Sequence, residues 1–177
     1  MATFSEAIAV GSTSTDEALS LFDSLDTVDA NFMIGSWKGA GFPTDHPLDG
    51  LLEAYHWYGK RFKTLNHVHP LLFTKLGGNK VSVNPVLVPI RLGNLMPVPK
   101  AAFLGRLFQL FIPLLTTRRS RARLRMTHYR GKASATMIYD DLPINDVFHK
   151  VDNNTVLGVM DLKGMVRPFF FVLRREA

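Results

Sequence analysis

The 177-residue sequence contains no cysteine. Without thiols there can be no disulfide, no cysteine nucleophile and no thiolate metal site, and this composition fits a reducing compartment. The first residues, Met-Ala-Thr-Phe-Ser-Glu, form neither a basic region nor a long apolar run. We therefore predict no signal peptide and a cytoplasmic protein.

No apolar run is long enough to cross a bilayer. The most apolar window extends from Ala101 to Leu115 and is interrupted by Arg106, Gln109 and Pro113, whereas a membrane-spanning helix needs about 20 predominantly apolar residues. We predict no transmembrane segment and interpret this window as a buried or interfacial helix.

Familiar catalytic motifs are also missing. Ser36 and Ser134 lack a convincing base and orienting residue, and no glycine-rich phosphate loop precedes a helix. These absences argue against a serine hydrolase and against nucleotide binding.

Positive charge is abundant, with a formal net charge of +6 at pH 7. Much of the excess lies in the stretch from Arg118 to Arg125 and at Arg174 and Arg175. Because alternate residues of that stretch are apolar, a solvated strand face explains it more simply than a nucleic-acid site, and we expect no specific nucleic-acid partner. Binding of RNA or of an anionic membrane surface through Arg118 to Arg125 is our third functional hypothesis.

Length and composition predict one domain. With 46% apolar residues the chain can bury one substantial core. We expect a flexible N-terminal arm over residues 1–13 and a single domain over 14–177, in which 31–92 form a first part and 101–177 form a helix followed by a five-strand meander.

Three helices are predicted. Capping-box spacing in Ser14-Thr-Asp-Glu17 indicates a helix from about Asp16 to Leu25. Apolar residues at three- and four-residue steps indicate a second helix from Leu48 to Phe62, covering one mouth or edge of the sheet. The window from Ala101 to Leu115 supplies the third.

Strand patterns account for most of the remaining chain. Trp37 lies between Gly35 and Gly39 on a predicted first strand, where it either plugs the end of a cavity or belongs to an ordinary core with the glycines marking a bulge. A hairpin is expected from Leu71 to Leu76 and Val81 to Val88. From residue 121 onward the period changes to two, and successive turn residues separate five strands.

The predicted strands number about eight. An up-and-down barrel with that number of strands has room for one small ligand. The predicted fold is therefore α+β and mainly β, an antiparallel barrel with two or three helices inserted or preceding.

Several motifs resemble those of a known family. The first part of the chain is similar to the bacterial and fungal GXWXG domain, and the last part is similar to the domain of unknown function that usually follows it. The first resemblance rests on Gly35-Ser-Trp-Lys-Gly39, His46-Pro47, Trp57-Tyr-Gly-Lys60 and Phe62. The second rests on Tyr139-Asp-Asp-Leu-Pro-Ile144, Asp146-Val-Phe148, Met160-Asp161 and Phe169-Phe-Phe-Val-Leu-Arg174. The family carries little assigned biochemistry.

A more distant resemblance is to the calycin-like barrels, namely lipocalins, fatty-acid-binding proteins and nitrobindin. In these barrels an early Gly-x-Trp strand meets an arginine from the end of the last strand. The resemblance implies that Arg174 or Arg175 packs over a buried Trp37 as a cation over an indole face. The two long helical insertions depart from a plain lipocalin.

Four residues are candidate catalytic groups, because an ionisable side chain inside a cavity binds a ligand or acquires a shifted pKa. They are Asp146, Asp161, Tyr139 and His46. His46 could act as a base, or its turn could serve only to begin a helix. Asp146 and His149 lie on opposite faces of a regular strand, so only one can face the cavity, and we favour Asp146. The aspartates could instead satisfy backbone groups at strand ends.

The candidate ligand-binding residues are mostly apolar or aromatic. They are Trp37, Tyr55, Trp57, Lys60, His69, Ala135, Met137, Phe148, Phe169 and Phe171. His67 and His69 share a strand face and could hold a metal, although no third ligand lies within sequence reach.

We therefore expect binding of a small apolar molecule, lipid-like or a secondary metabolite, in a barrel cavity. The alternative is a cofactor-independent isomerase, cyclase or lyase that uses the same cavity for acid/base catalysis. We expect no cofactor, with haem or a metal as lesser variants. A homodimer is an option if the Leu48 to Phe62 helix meets a partner subunit instead of the cavity.

Overall fold

The computed structural model describes residues 4–75, 77–88 and 102–176. Its helices are α1 (Phe4–Val10), α2 (Thr15–Ser24), α3 (Leu51–Ala54) and α4 (Ala102–Leu115), with a 3-10 helix at Pro85–Leu87. Its strands are β1 (Asp26–Thr27), β2 (Gly35–Gly41), β3 (Trp57–Thr64), β4 (His67–Thr74), β5 (Lys80–Ser82), β6 (Ala122–Tyr129), β7 (Lys132–Tyr139), β8 (Ile144–Lys150), β9 (Thr155–Leu162) and β10 (Phe169–Arg175).

Eight strands form a closed ring of antiparallel neighbours. The order is β2-β3-β4-β6-β7-β8-β9-β10, and β10 pairs back to β2. The short strands β5 and β1 pair with β4 and β8 without joining the ring. The prediction of a mainly β, antiparallel fold with about eight strands and a few helices is confirmed.

Strand alternation divides the core into two layers. Inward-facing side chains such as Phe62, Leu124 and Phe148 fill the ring. The outward faces of β8, β9 and β10 pack against α2, whose Ala18, Leu21 and Phe22 are buried there.

Helix α2 confirms the capping-box prediction. Ser14 Oγ accepts from the backbone N–H of Glu17 at 3.2 Å, and the Glu17 carboxylate accepts from the backbone N–H of Ser14 at 2.9 Å. Upstream, α1 lies within the segment predicted to be a flexible arm, and the Phe4 ring stacks on Phe42 with centroids 6.0 Å apart.

Trp37 is fully buried at one end of the ring, beneath Arg175. The Arg175 guanidinium lies 4.2 Å from the indole centroid and donates to the carbonyls of Ile34 and Phe32 at 2.9 and 2.6 Å. The indole Nε1 donates to the Met33 carbonyl at 2.8 Å. The cation–indole contact expected of Arg174 or Arg175 is therefore made by Arg175, whereas Arg174 is exposed.

The predicted helix from Leu48 to Phe62 is wrong except over Leu51–Ala54. Only Leu51–Ala54 is helical, and Trp57–Thr64 forms strand β3. Pairing between β3 and β4 shifts register three times, and such bulges replace strict alternation with steps that resemble a helical period. Gly59 adopts φ +146°, which no helix contains.

We predicted that the second strand of the hairpin, Val81 to Val88, would be one of the eight strands of the barrel. Strand β3 is in the ring instead. The hairpin strand expected from Val81 to Val88 is only Lys80–Ser82 and is followed by the 3-10 helix. Leu76, the expected end of the first strand, lies outside the described residues. The helix over Ala102–Leu115 and the five strands that follow it are as predicted.

Gly59→Ala tests the constraint on β3. A β-carbon at position 59 would lie 2.0 Å from the Trp37 carbonyl oxygen, at φ +146°. We expect a loss of at least about 3 kcal/mol in the free energy of unfolding, measured with urea. The control is Gly78→Ala, since φ there is +81° but no atom lies within 4 Å of the added carbon. Equal losses in both variants would contradict the close approach.

Candidate functional site

An apolar cavity of about 160 Å³ lies inside the ring. Its wall comes from several elements: the α3 region, strands β3, β4 and β7 to β10, and helix α4. The lining residues are Leu48, Leu51, Leu52, Tyr55, Trp57, Lys60, Leu71, Phe73, Val88, Phe108, Tyr139, Asp146, Met160, Phe169 and Phe171. Leu51, Leu52, Tyr55 and Phe108 are only partly buried and mark its mouth, whereas Lys60 and Asp146 are buried and form its floor.

The floor holds an ion pair. Lys60 Nζ lies 2.8 Å from Asp146 Oδ2, and the two side chains are 3% and 1% exposed. Lys60 Nζ also donates to the Pro70 carbonyl at 3.2 Å. The two residues come from strands on different sides of the ring, so only closure of the sheet brings them together.

Aromatic rings surround the ammonium group. Lys60 Nζ lies 5.0, 5.5 and 5.8 Å from the ring centroids of Phe171, Trp57 and Tyr139. Ring faces attract a cation, and most strongly where water is excluded. The aromatic faces therefore surround the Lys60 ammonium group inside an otherwise apolar space.

The charge on Asp146 is less well compensated. Burial raises the pKa of Asp146, and attraction to Lys60 offsets this only in part. Oδ1 of Asp146 is buried and has no hydrogen-bond partner among the described residues. One carboxylate oxygen is thus bound by Lys60, while the other has an unused acceptor site.

Two further polar groups belong to the cavity wall. Burial, and then the charge of Asp146, raises the pKa of Tyr139 well above its usual value, so the phenol stays protonated. Within the part of the chain that the structure describes, the buried Nε1 of Trp57 has no acceptor. The site thus contains donors and an acceptor whose hydrogen-bonding capacity is not fully used.

Seven of the residues predicted from sequence as site residues line this cavity. They are Asp146, Tyr139, Tyr55, Trp57, Lys60, Phe169 and Phe171. His149 lies on the other face of β8, where its ring stacks on Phe22 at 3.7 Å and Nδ1 is 2.7 Å from the Phe22 carbonyl. The opposed faces of Asp146 and His149 agree with the strand alternation.

Four other predicted residues are in the inner core without lining the cavity: Trp37, Ala135, Met137 and Phe148. Asp161 is exposed, because it follows the cavity-facing Met160 on β9. Neither the four core residues nor Asp161 can therefore contact a molecule in the cavity directly.

His46 and His69 also lie outside the cavity lining. His46 Nδ1 accepts from the Leu48 N–H at 3.1 Å, and Nε2 is 3.1 Å from the Arg167 carbonyl. Asp49 organises this turn by accepting from the N–H groups of Thr44 and His46 at 2.8 Å each.

His69 lies in a small polar cluster. Its Nε2 is 3.2 Å from Nε2 of His67, and its Nδ1 is 3.0 Å from Ser82 Oγ. Burial and the nearby positive charges of Lys63, His67 and Arg61 lower the pKa of His69 to about 4. Among residues 4–75, 77–88 and 102–176, no group of three or more metal-binding side chains was found.

Several lining residues were not identified from the sequence, including Leu71, Phe73, Phe108 and Met160. Leu71 and Phe73 alternate on β4, and Met160 pairs with Asp146 across β8 and β9. The alternation on β4 and the register between β8 and β9 could have indicated Leu71, Phe73 and Met160. Phe108 could be identified only once it was known which face of α4 packs on the ring.

Two family models match the chain. The model described as GXWXG protein matches residues 20–78, and the domain of unknown function DUF4334 matches residues 120–175. The crystal structure of a protein from Thermomonospora curvata is 32% identical, covers 98% of this chain and 95% of that chain, and gives a TM-score of 0.72. The chain therefore belongs to the family of GXWXG proteins in which DUF4334 follows. Among curated proteins no match was found.

The helices of the described ranges include none that is both long and apolar enough to cross a membrane.

The ion pair in the cavity floor can be tested by a double-mutant cycle. Lys60→Met or Asp146→Asn alone leaves one buried charge without its partner, and each should lower the free energy of unfolding by about 3 kcal/mol or more. The double variant leaves no buried charge, so it should lose clearly less than the sum of the two. Urea unfolding measures all four proteins. Additive losses would show that the two charges do not interact.

Proposed function

We propose that the chain binds a small apolar molecule inside the strand ring. The observation that carries the proposal is the cavity of about 160 Å³ with an almost entirely apolar wall. An engineered apolar cavity of about 150 Å³ in another protein binds benzene. A ligand of one or two rings that enters this cavity would remove its apolar surface from water. That burial is favourable by about 25 cal/mol per Å².

The polar floor gives this ligand a preferred orientation. Lys60, Asp146 and Tyr139 converge on the buried end of the cavity, opposite the partly exposed Leu51 and Leu52. A few polar groups in an apolar pocket are the usual arrangement for fixing a ligand's direction. The best ligand is therefore apolar over most of its surface and carries one oxygen function that reaches the floor.

Leu71→Trp tests binding by filling the cavity from β4. The bicyclic ketone 1-tetralone serves as probe, because it combines two apolar rings with one carbonyl. We expect its Kd, measured by isothermal titration calorimetry, to rise at least about tenfold as the indole takes up the space.

Val166→Trp is the matched control, since it adds the same ring to a side chain that is 95% exposed. Circular dichroism establishes that both variants fold. Unchanged affinity in a folded Leu71→Trp protein would mean that the probe does not enter this cavity.

A second function, proton transfer on the bound molecule, is favoured by the buried ion pair. Replacing such a pair with apolar residues is often neutral or stabilising, so stability does not explain its presence. Charged groups with perturbed pKa values in a cavity are typical of functional sites. In this proposal Asp146 removes a proton from carbon beside a carbonyl, and Lys60 and Tyr139 stabilise the negative oxygen that develops.

Asp146→Asn separates the two functions. With 1-tetralone in deuterium oxide, the wild-type protein should accelerate exchange of the hydrogens beside the carbonyl, and nuclear magnetic resonance measures the rate. The variant retains the size of residue 146 but loses the base, so exchange should slow at least about 100-fold while Kd rises only modestly. Circular dichroism establishes that the destabilised variant is folded. If wild-type protein binds the ketone but exchange matches that in buffer, proton transfer fails and binding alone remains.

A further inference from the structure

Helix α4 has two apolar faces. Its inner face brings Phe108 against Tyr55 and Phe73, with ring centroids 5.4 and 5.1 Å apart, and buries Ile112. The helix approaches closely at Gly105, where an added β-carbon would lie 2.2 Å from the Ala54 carbonyl oxygen. This inner face contributes Phe108 to the mouth of the cavity.

The outer face is also apolar but is exposed. Leu107, Leu110, Phe111 and Leu114 are 44%, 71%, 52% and 77% exposed. Their spacing of three, four and seven residues places them together on one side of the helix. A surface helix of a soluble protein normally presents polar side chains outward, and a contiguous apolar patch of this kind marks an interaction site.

The patch continues beyond the helix. Val86 and Leu87 of the 3-10 helix are each 51% exposed. The backbone N–H of Asn84, which precedes that helix, donates to the carbonyl of Leu115 at 2.8 Å. The two helices are thus joined where α4 ends.

The charged residues of α4 and of the segment just after it are all positive. The sequence from 54 to 139 contains no aspartate or glutamate. Arg106 on α4, and Arg118 and Arg119 just after it, are exposed, and none of the three has an ion pair within the described ranges. An apolar helix face bordered by unpaired arginines is typical of helices that lie in the interface of an anionic bilayer.

We propose that the outer face of α4 docks on an anionic phospholipid surface. Leu110 and Leu114 enter the boundary between head groups and acyl chains, and the arginines lie at the level of the phosphates. A second copy of the chain is a poorer occupant, because it would bring like-charged arginines together. The four outer residues do not line the cavity, so docking does not depend on the proposed ligand.

The test is co-sedimentation with vesicles. Wild-type protein should sediment with vesicles rich in phosphatidylglycerol, less with pure phosphatidylcholine, and less as salt is raised. Leu114→Glu should lower the partition coefficient at least about tenfold, because it removes a large apolar side chain that would enter the bilayer and adds a negative charge that the anionic surface repels. Val166→Glu introduces the same charge at a 95% exposed position and should bind nearly as wild type.

Any of three results would overturn the proposal, and the first two come from the sedimentation assay. The first is failure of the wild-type protein to sediment with anionic vesicles, and the second is equal sedimentation of folded Leu114→Glu and Val166→Glu. The third is a wild-type dimer by light scattering that Leu114→Glu converts to a monomer, which would identify a second copy as the occupant.

Discussion

Closure of the sheet between β10 and β2 is the constraint on which the other features depend. The last strand of the ring pairs with the first, through partners such as Leu173 and Gly39, and Arg175 then reaches the face of Trp37. Without this pairing β2 and β10 would have open edges, with unpaired backbone groups. The cavity has a continuous wall only because the ring is complete.

Within that wall, burying the charges of Lys60 and Asp146 costs free energy, which the apolar residues offset. Removing two charges from water is expensive. The 2.8 Å contact between the two groups, the hydrogen bond from Lys60 to the Pro70 carbonyl and the nearby aromatic faces compensate only partly. The surrounding apolar contacts supply the stability that permits it. Such a pair is in keeping with the proposed binding of an apolar ligand that carries one polar group.

Much of the fold was predictable because its signals are local. The capping box of α2 and the alternation of β6 to β10 follow from short patterns. The contact of Trp37 with a C-terminal arginine was implied by the resemblance to calycin-like barrels. Strand β3 was not predicted, because its bulges make the apolar spacing compatible with a helix. Asp146 was predicted to be a cavity residue, but its contact with Lys60 joins distant strands, and no local pattern encodes that distance.

The opposed faces of Asp146 and His149 also have a consequence for strand register. A slip of β8 by one residue would turn Asp146 outward against Phe22 of α2 and turn His149 inward toward Lys60. The slipped pairing would bury an acid in an apolar layer and place two basic groups side by side. Each side chain is thus compatible with only one of the two faces, and together they disfavour a misaligned sheet that apolar residues alone would tolerate.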